Sequence, residues 1–466
     1  MKRFDRRLMG VWSRWGMKVL PFADVASDEL PLSRLLRLSL IQFSVGISLT
    51  LLVGTLNRVM IVELQVPSTI VGFMLALPLL FAPFRALIGF RSDTHQSAIG
   101  WRRVPFIYRG TMLQFGGLAV MPFALLVLAK SLNAATAPAW VGQVSAAIAI
   151  LLVGAGVHIT QTVGLALATD LTDEDQQANV VGLMYVSLLL GSIVAALAFG
   201  AFLIDFTPGR LIQVIQGSAV VTIFLNIVAT WKQEALRPSS AAEPAAPQAT
   251  FKESWDKFIV QHRALRRLLV IGFGTLAFTM SDVVLEPYGG QVLGLGVGAT
   301  TKLTAIFAGG SLVGFTLASQ ILSRGGDPFR MSTFGALLGL PAFAMVIAAA
   351  PLQSAPLFSI GVLLIGCGAG LFSHGTLTAT MRYAPADQVG MALGAWGAVQ
   401  ATAAGIGAAL GGLLRDIGSD LTFFASLPRT ANGYLAVYLL EMLLLAATLA
   451  IMVPMLRQQL VTSAKR

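Results

Sequence analysis

The chain has 466 residues, of which 56% are hydrophobic and only 12% are charged, and its mean hydropathy is +0.77. A soluble protein carries about 25% charged residues, so the composition excludes a soluble globular protein and indicates a polytopic membrane protein. The net charge is +10, but the basic residues lie at helix ends and in loops. Membrane orientation and contact with anionic lipid explain them, and no nucleic-acid partner is expected.

The N-terminal segment is basic and amphipathic. Phe4, Leu8, Val11 and Trp15 recur at helical spacing among lysines and arginines, which predicts a helix lying on the membrane surface. A disordered basic tail is the alternative. No continuous apolar core with a small-residue cleavage site follows, so a removable signal peptide is not expected.

Twelve apolar stretches are long enough to cross a bilayer, which takes about 20 residues of helix. Unpaired backbone groups are too costly in lipid, so all twelve are predicted to be helices. The predicted spans are 36–62, 68–90, 104–128, 141–169, 180–204, 211–231, 268–293, 301–322, 331–350, 357–381, 391–414 and 434–456.

A linker separates the first six spans from the last six. Pro238, Pro244 and Pro247 indicate a flexible segment, and Thr250 with Glu253 resembles the capping box of a second surface helix. Five regions are therefore predicted: a cytoplasmic N-terminal segment with the interfacial helix (1–35), a six-helix bundle (36–232), a cytoplasmic linker with a surface helix (233–266), a second six-helix bundle (267–456) and a cytoplasmic tail (457–466).

Lysine and arginine are distributed unevenly between the two sides. Of the 32 such residues, 24 fall in segments that are inside when both termini are cytoplasmic, and 5 fall in outside loops. Because positive residues favour the cytoplasmic side, both termini are predicted to lie in the cytoplasm.

The two halves of the chain resemble each other. Leu-Leu-Val-Gly-Ala-Gly at 151–156 matches Leu-Leu-Ile-Gly-Cys-Gly at 363–368, and Gly-Ala-Phe-Leu-Ile-Asp at 200–205 matches Gly-Gly-Leu-Leu-Arg-Asp at 411–416. Two parallel six-helix repeats are the architecture of the major facilitator superfamily. The fold class predicted is therefore an all-α polytopic membrane protein of that superfamily, with twelve transmembrane helices.

The turn between spans two and three supports this resemblance. The superfamily has a Gly-x-x-x-Asp…Gly-x-Arg-Arg pattern there, which implies a cytoplasmic gate. The chain matches it at Gly89, Asp93, Gly100, Arg102 and Arg103, with several additional residues between the acid and the second glycine.

Charged residues near that turn offer several pairings. The acidic turn after span four, which begins at Asp170, could receive Arg102 or Arg103, or could dock a basic tail of a partner. Arg85 and Arg109 flank the motif and could pair with Asp93 or extend to the cytoplasm.

Longer motifs resemble the bacteriochlorophyll delivery family within that superfamily, and they cover nearly the whole span region. They are the run 100–105, Asn57-Arg-Val-Met-Ile-Val-Glu63, the runs 164–170 and 211–217, Leu285-Glu-Pro-Tyr-Gly-Gly290 and the run 394–404.

The resemblance implies a non-enzymatic factor that delivers bacteriochlorophyll, as cargo, to light-harvesting α and β apoproteins. It favours the peripheral antenna as client and places the protein in the bacterial inner, intracytoplasmic photosynthetic membrane. Membrane lipids are further partners that it implies, and bacteriochlorophyll biosynthesis enzymes and insertion machinery could be others.

Two histidines lie inside predicted spans, where an imidazole must find a partner. His158 and His374 are the candidate pigment ligands, through axial ligation of the chlorin magnesium, and no other metal site is expected. A helix–helix hydrogen bond is the alternative for each. The glycines of span eleven, 405, 407, 411 and 412, predict either close helix packing or a flat groove for a macrocycle.

Buried charge is the remaining signal. Asp282 and Glu286 lie four residues apart in span seven, and Arg58 lies late in span one. An ion pair between Arg58 and one of these acids would reduce the cost of charge in lipid. Such a pair would be either a gate or proton site, or a structural contact. Glu441 in span twelve has no partner that the sequence reveals.

Two other functions fit the same predicted fold, because fold does not fix function. One is a secondary transporter that moves a small solute by alternating access. The other is a scaffold that gathers apoproteins without binding pigment. The family-length resemblance favours pigment delivery, and the scarcity of acids in spans one, four and ten weakens a proton-coupled transporter.

Overall fold

The computed structural model is all-helical in the residues that it describes, namely 31–81, 88, 91–92, 101–130, 136–172, 176–234, 264–383, 389–420 and 429–463. The interfacial helix, most of the linker and the second surface helix expected from the sequence lie outside these residues.

Span one, Leu32–Glu63, begins as an α-helix and widens into π-helical turns at Thr50–Leu56 and Val59–Glu63. Span two is described over Ser68–Ala76 and a 3₁₀ turn at Leu77–Phe81. Spans three to six are Val104–Leu128, Ala139–Asp170, Gln177–Phe202 and Pro208–Thr230. Span seven has two halves, Ala264–Thr279 and Ser281–Gln291. Spans eight to twelve are Val297–Ser323, Pro328–Leu352, Ala355–Tyr383, Val389–Gly418 and Arg429–Ser463.

These helices are consistent with the twelve spans that the sequence predicts. Eleven are long and apolar enough to cross a membrane, and the shorter apolar helix Ser68–Leu79 lies where span two is expected. The rest of span two falls mostly outside the described residues.

Oxygen-bearing side chains satisfy the free backbone N–H groups at several helix starts, which have no partner within the helix. Asp327 accepts from the N–H groups of Phe329 and Arg330, at 2.7 and 3.1 Å, where span nine begins. Asp416 of span eleven accepts from the N–H of Thr69, at 2.7 Å, where span two begins. In a membrane protein such side-chain acceptors give the N–H groups at a helix start a partner that does not depend on water.

The described chain forms two compact units. The first comprises Met1–Leu56, Phe81–Ala241 and Val297–Ala305, and the second comprises Asn57–Leu80, Ala242–Gly296 and Ile306–Arg466. The end of span one and the described part of span two therefore group mainly with helices of the second half, and the start of span eight groups with the first half. The two six-helix bundles remain a prediction about repeats, which this grouping does not address.

A buried polar chain links three helices of the first unit. The hydroxyl of Ser44 contacts the Asn226 side-chain oxygen at 2.6 Å, and the Asn226 amide donates to the hydroxyl of Thr111 at 2.9 Å. This chain joins spans one, six and three. Apolar packing surrounds it, with a buried cluster that includes Leu35, Leu38, Ile41, Val163, Leu167, Val180 and Met184.

Aromatic side chains form much of the second unit's interior. Tyr288 packs edge-on against Tyr434 and Tyr438, with ring centroids 5.5 and 5.6 Å apart, and lies 5.0 Å from Phe358. The Tyr288 hydroxyl donates to the carbonyl of Val346 at 2.8 Å. Span seven is thus fixed to spans nine, ten and twelve by packing and by a hydrogen bond.

The glycines of span eleven serve close helix packing, which is one of the two expected uses. A Cβ added at Gly407 would lie 2.6 Å from the Thr279 hydroxyl, and one at Gly411 or Gly412 would meet the carbonyl oxygen of Met280 or Ser68. These faces are covered by spans seven and two, so the glycines do not form an open groove at those three positions.

Candidate functional site

A cluster of four charged side chains joins the start of span three to the ends of spans four and six. Arg103 donates through Nε to Asp170 at 2.9 Å and through Nη1 to the Ser92 hydroxyl at 2.6 Å. Arg102 also pairs with Asp170. The pairing of these arginines with the acid that ends span four, one of the two possibilities that the sequence left open, is therefore present.

Glu234, which follows span six, is the fourth member of this charged cluster. Its carboxylate accepts from the backbone N–H groups of Arg102, Arg103 and Val104 at 2.8 to 3.0 Å. These are the free N–H groups at the helix N-terminus, where negative charge is favoured. No local sequence signal could have identified Glu234, because it lies about 130 residues from the helix that it caps.

Part of the gate motif lies outside the described residues. Gly89, Asp93 and Gly100 are among these positions, and so is Arg85. The gate role of the motif therefore stays a prediction, while Arg102 and Arg103 have a defined structural role in joining spans three and four.

Arg58 forms an ion pair within its own helix. Its guanidinium is 3% exposed and pairs with Glu63, and it also donates to the carbonyl of Leu295 at 3.2 Å. The π-helical turn explains the pair with Glu63, because it brings residues five positions apart onto one face, and the N–H of Leu64 bonds to the carbonyl of Val59. The pairing of Arg58 with Asp282 or Glu286 stays a prediction.

Span seven contains a proline whose missing N–H is compensated from span one. Pro287 cannot donate to the carbonyl four residues earlier, that of Val283. The Asn57 amide donates to that carbonyl at 2.8 Å and to the carbonyl of Asp282 at 3.2 Å. Glu286, on the same half-helix, is buried at 3% exposure, whereas Asp282 is partly exposed.

Glu441 gains a partner that the sequence did not reveal. Its Oε1 accepts from the backbone N–H of Ser281 at 2.6 Å, where the second half of span seven begins. The Glu441 side chain is completely buried. Its other oxygen and the hydroxyl of Tyr438, one turn earlier on span twelve, have no hydrogen-bond partner among the described residues.

The candidate pigment ligand His374 lies where span ten packs closely on span eight. A Cβ at Gly370, one turn before it, would meet the carbonyl oxygen of Ser311. The His374 ring packs against Phe315, with centroids 4.3 Å apart and planes inclined by 55°.

His374 itself is partly exposed. Its Nδ1 is buried and has no hydrogen-bond partner within the described part of the chain. A neutral imidazole nitrogen can bind a metal, and the flat Phe315 ring gives the site an apolar wall. The acceptor that usually orients a ligating histidine through its other nitrogen is not seen among the described residues.

The second candidate ligand, His158, lies in span four and is also partly exposed. Its helix is pressed against span three at Gly156, where an added Cβ would be 2.5 Å from the carbonyl oxygen of Gly110. His158 belongs to the first unit and His374 to the second. Each is therefore a separate candidate, and pigment ligation by either stays a prediction.

Comparison with known proteins decides the family. Residues 55–460 match the family described as PUCC protein. The chain is also 61% identical over 418 residues to Protein PucC of Rhodovulum sulfidophilum, a match that covers 89% of this chain and 92% of the relative. The chain belongs to the PucC family.

Other relatives extend this result. Protein PucC of Cereibacter sphaeroides is 56% identical over 96% of this chain and 97% of its own length. A more distant relative, the bacteriochlorophyll synthase 44.5 kDa chain of Rhodobacter capsulatus, is 29% identical over 82% of this chain and 87% of its own length.

Solved structures confirm the fold expected for this PucC-family chain. A bacterial homologue of the human lysosomal transporter Spinster superposes with a TM-score of 0.66, covering 90% of this chain and 95% of that one at 15% identity. The structural neighbours are transporters of the major facilitator superfamily. At this identity the likeness concerns the fold alone.

Proposed function

We propose that this PucC-family chain is a membrane assembly factor that delivers bacteriochlorophyll to light-harvesting apoproteins, with the peripheral antenna as its favoured client. The observation that carries the proposal is the extent of the family match, which covers residues 55–460 and therefore the end of span one and nearly all of the other eleven spans. The motifs that resemble the bacteriochlorophyll delivery family lie within that stretch or at its edge. A relative named for bacteriochlorophyll synthase adds support.

The protein's own contribution would be to hold a large apolar macrocycle and release it in the bilayer. His374 is the residue best suited to hold it, because its buried Nδ1 has no hydrogen-bond partner among the described residues and Phe315 lies beside the ring. His158 is the second candidate. Neither role requires a covalent step, which agrees with a non-enzymatic factor.

Purification in mild detergent from a phototrophic host tests the proposal. The readout is the ratio of bacteriochlorophyll absorbance to protein after size exclusion, for the wild type, His374→Phe, His158→Phe and the double variant. Loss of the ligand should weaken pigment binding at least about tenfold, since even outer-sphere changes cost about 10–100-fold in metal affinity. Trp140→Phe, on a residue that is 63% exposed in span four, is the control and should retain the pigment.

Three outcomes separate the alternatives. Pigment retained by the wild type and lost from a histidine variant supports both delivery and ligation. Pigment undiminished in the double variant overturns ligation by these histidines but leaves delivery. Apoprotein retained without pigment favours the scaffold. Flux of a solute across vesicles containing pigment-free protein would instead favour the transporter alternative.

The proposed location is the bacterial inner membrane with both termini in the cytoplasm. Cys367 is the one cysteine in the sequence, so Cys367→Ala gives a background without cysteine. In that background, Gly209→Cys should react with a membrane-impermeant maleimide added to intact spheroplasts, and Ser323→Cys should not. The reverse pattern would contradict the orientation.

A further inference from the structure

The first compact unit contains a cavity, here called the lateral slot, that is lined neither by the candidate pigment ligands nor by the charged cluster. It is a cavity of about 710 Å³ between spans five and six, with Phe43 and Ile47 of span one among the residues that line it. Phe199 and Phe202 line it from span five, and Gly217 and Val221 line it from span six.

One end of the slot is charged, whereas the other lining residues are mostly apolar. Asp205 and Arg210 lie at the loop between spans five and six, and Gln213 is one turn further along span six. Arg210 donates through Nη1 to the Asp205 carboxylate at 3.1 Å and to the Asp205 carbonyl at 2.8 Å. The slot therefore has the polarity of an amphiphile, with an apolar body and a polar end at the membrane surface.

The size of the slot limits its occupant. An α-helix with side chains is about 10–12 Å across, so a volume of 710 Å³ encloses only about one and a half turns of helix. A rigid membrane-spanning helix of a partner is thus too large for the slot, whereas the flexible acyl chains of a lipid can lie in it for part of their length and extend into the bilayer for the rest. Gly217 leaves open space, since nothing lies within 4 Å of a Cβ added there, and flexible hydrocarbon chains can follow such a surface.

The two charges at the polar end of the slot favour some amphiphiles over others. Asp205 and Arg210 present a negative and a positive group side by side, and their side chains are 81% and 46% exposed. An exposed ion pair contributes little stability by itself, so it can open to admit a headgroup at small cost. A zwitterionic headgroup complements both charges, whereas a purely anionic one faces repulsion from Asp205 and a neutral macrocycle gains nothing from either.

We propose that the lateral slot is a specific site for a zwitterionic phospholipid of the phosphatidylethanolamine type. Its phosphate binds the Arg210 guanidinium, a group well matched to phosphate oxygens, and its ammonium lies at Asp205. Its acyl chains fill the space between spans five and six and rest on Phe43 and Ile47. The proposal concerns a lipid site alone and does not depend on pigment delivery.

The decisive variant is Gly217→Leu, whose side chain fills the slot. The fold should tolerate it because no atom lies within 4 Å of the new Cβ. The purified wild type and variant are extensively washed in detergent, and the phosphatidylethanolamine that remains is counted per protein by native mass spectrometry. One bound phosphatidylethanolamine should be lost. Gly116→Leu in span three, which also has nothing within 4 Å and lies outside the slot, is the matched control and should keep it.

The headgroup contacts are tested separately with Arg210→Gln and Asp205→Asn. Asp205→Asn removes the partner of the ammonium and the repulsion of an anionic lipid, so it should lower the preference for phosphatidylethanolamine over phosphatidylglycerol about tenfold in a titration of delipidated protein. Arg210→Gln removes the partner of the phosphate, which both lipids carry, so it should weaken the binding of both about tenfold and leave the preference unchanged. Equal retention of phosphatidylethanolamine by Gly217→Leu and the wild type would overturn the site. So would an equal preference of the wild type for phosphatidylglycerol, or a loss of bacteriochlorophyll in place of lipid.

Discussion

Two carboxylates from distant parts of the chain perform the same task in contrasting surroundings. Glu234 accepts from three backbone N–H groups at the start of span three, and Glu441 accepts from one at the middle of span seven. Glu234 is partly exposed and has Arg102 and Arg103 in its cluster, whereas Glu441 is completely buried.

From this contrast we expect that burial, more than the number of hydrogen bonds, determines how much each carboxylate contributes to the free energy of unfolding. At Glu234, water and neighbouring charges can replace much of a lost contact. Glu441 is completely buried, so a donor left there without its acceptor bears its full desolvation cost. Single buried hydrogen bonds should therefore be the more sensitive positions, and four substitutions test this ranking.

The largest effect is expected for Glu441→Ala. It leaves the Ser281 N–H without its acceptor and also creates a cavity, which together should lower the free energy of unfolding by about 3 kcal/mol. Thermal unfolding in detergent, followed by tryptophan fluorescence, measures it. Glu441→Gln retains an acceptor oxygen of the same shape and should cost less than about 1 kcal/mol. An equal loss in both variants would show that the hydrogen bond is not the cause.

Asn57→Ala should cost about 2 kcal/mol, because the carbonyl of Val283 is then buried without a donor. Replacing Pro287 by Ala as well restores the N–H that this carbonyl lacks. The double variant should therefore recover part of the loss, in the same unfolding measurement. Strict additivity of the two single changes would contradict the compensation.

Glu234→Ala should cost about 1 kcal/mol, the usual effect of losing an N-terminal cap. It removes three hydrogen bonds, but water can reach the N–H groups at this partly exposed position. A loss greater than that of Glu441→Ala would reverse the ranking. Glu234→Gln, which keeps an acceptor without the charge, is its control and should lie between the wild type and Ala.

The smallest effect is expected for Arg102→Gln, at about 0–1 kcal/mol, because its pair with Asp170 is 30% exposed on the arginine side. The loss should shrink further when the salt concentration is raised. Arg103→Gln serves as the internal comparison, since that side chain is only 6% exposed and should cost several times more. Equal losses would mean that burial does not govern these contacts.

The sequence predicted what depends on local pattern. Hydropathy located the helices to within a few residues, because about 20 apolar residues in a row have few alternatives to a span. Charge placement at the turns also offered the pairing of Arg102 or Arg103 with Asp170 as one of two possibilities, and both arginines form it.

What the sequence missed depends on contacts between distant helices or on backbone detail. Glu234, Asn57 and Glu441 each serve a backbone group more than 100 residues away, and no periodicity reports such a contact. The pair of Arg58 with Glu63 was not predicted, because it depends on π-helical turns that the sequence pattern does not reveal. Pigment ligation by His158 or His374 stays a prediction, since an imidazole in a span can either form a hydrogen bond between two helices or bind a metal.

The contact between Asn57 and Val283 has a consequence for biosynthesis. A chain is synthesised from its N-terminus, so span one is made before span seven. The Val283 carbonyl lacks its donor until span seven packs against span one. An unpaired carbonyl in the hydrocarbon costs several kcal/mol, and packing beside Asn57 removes that cost. Because Pro287 leaves this carbonyl unpaired within its own helix, the packing of span seven against span one is favoured over insertion of span seven alone.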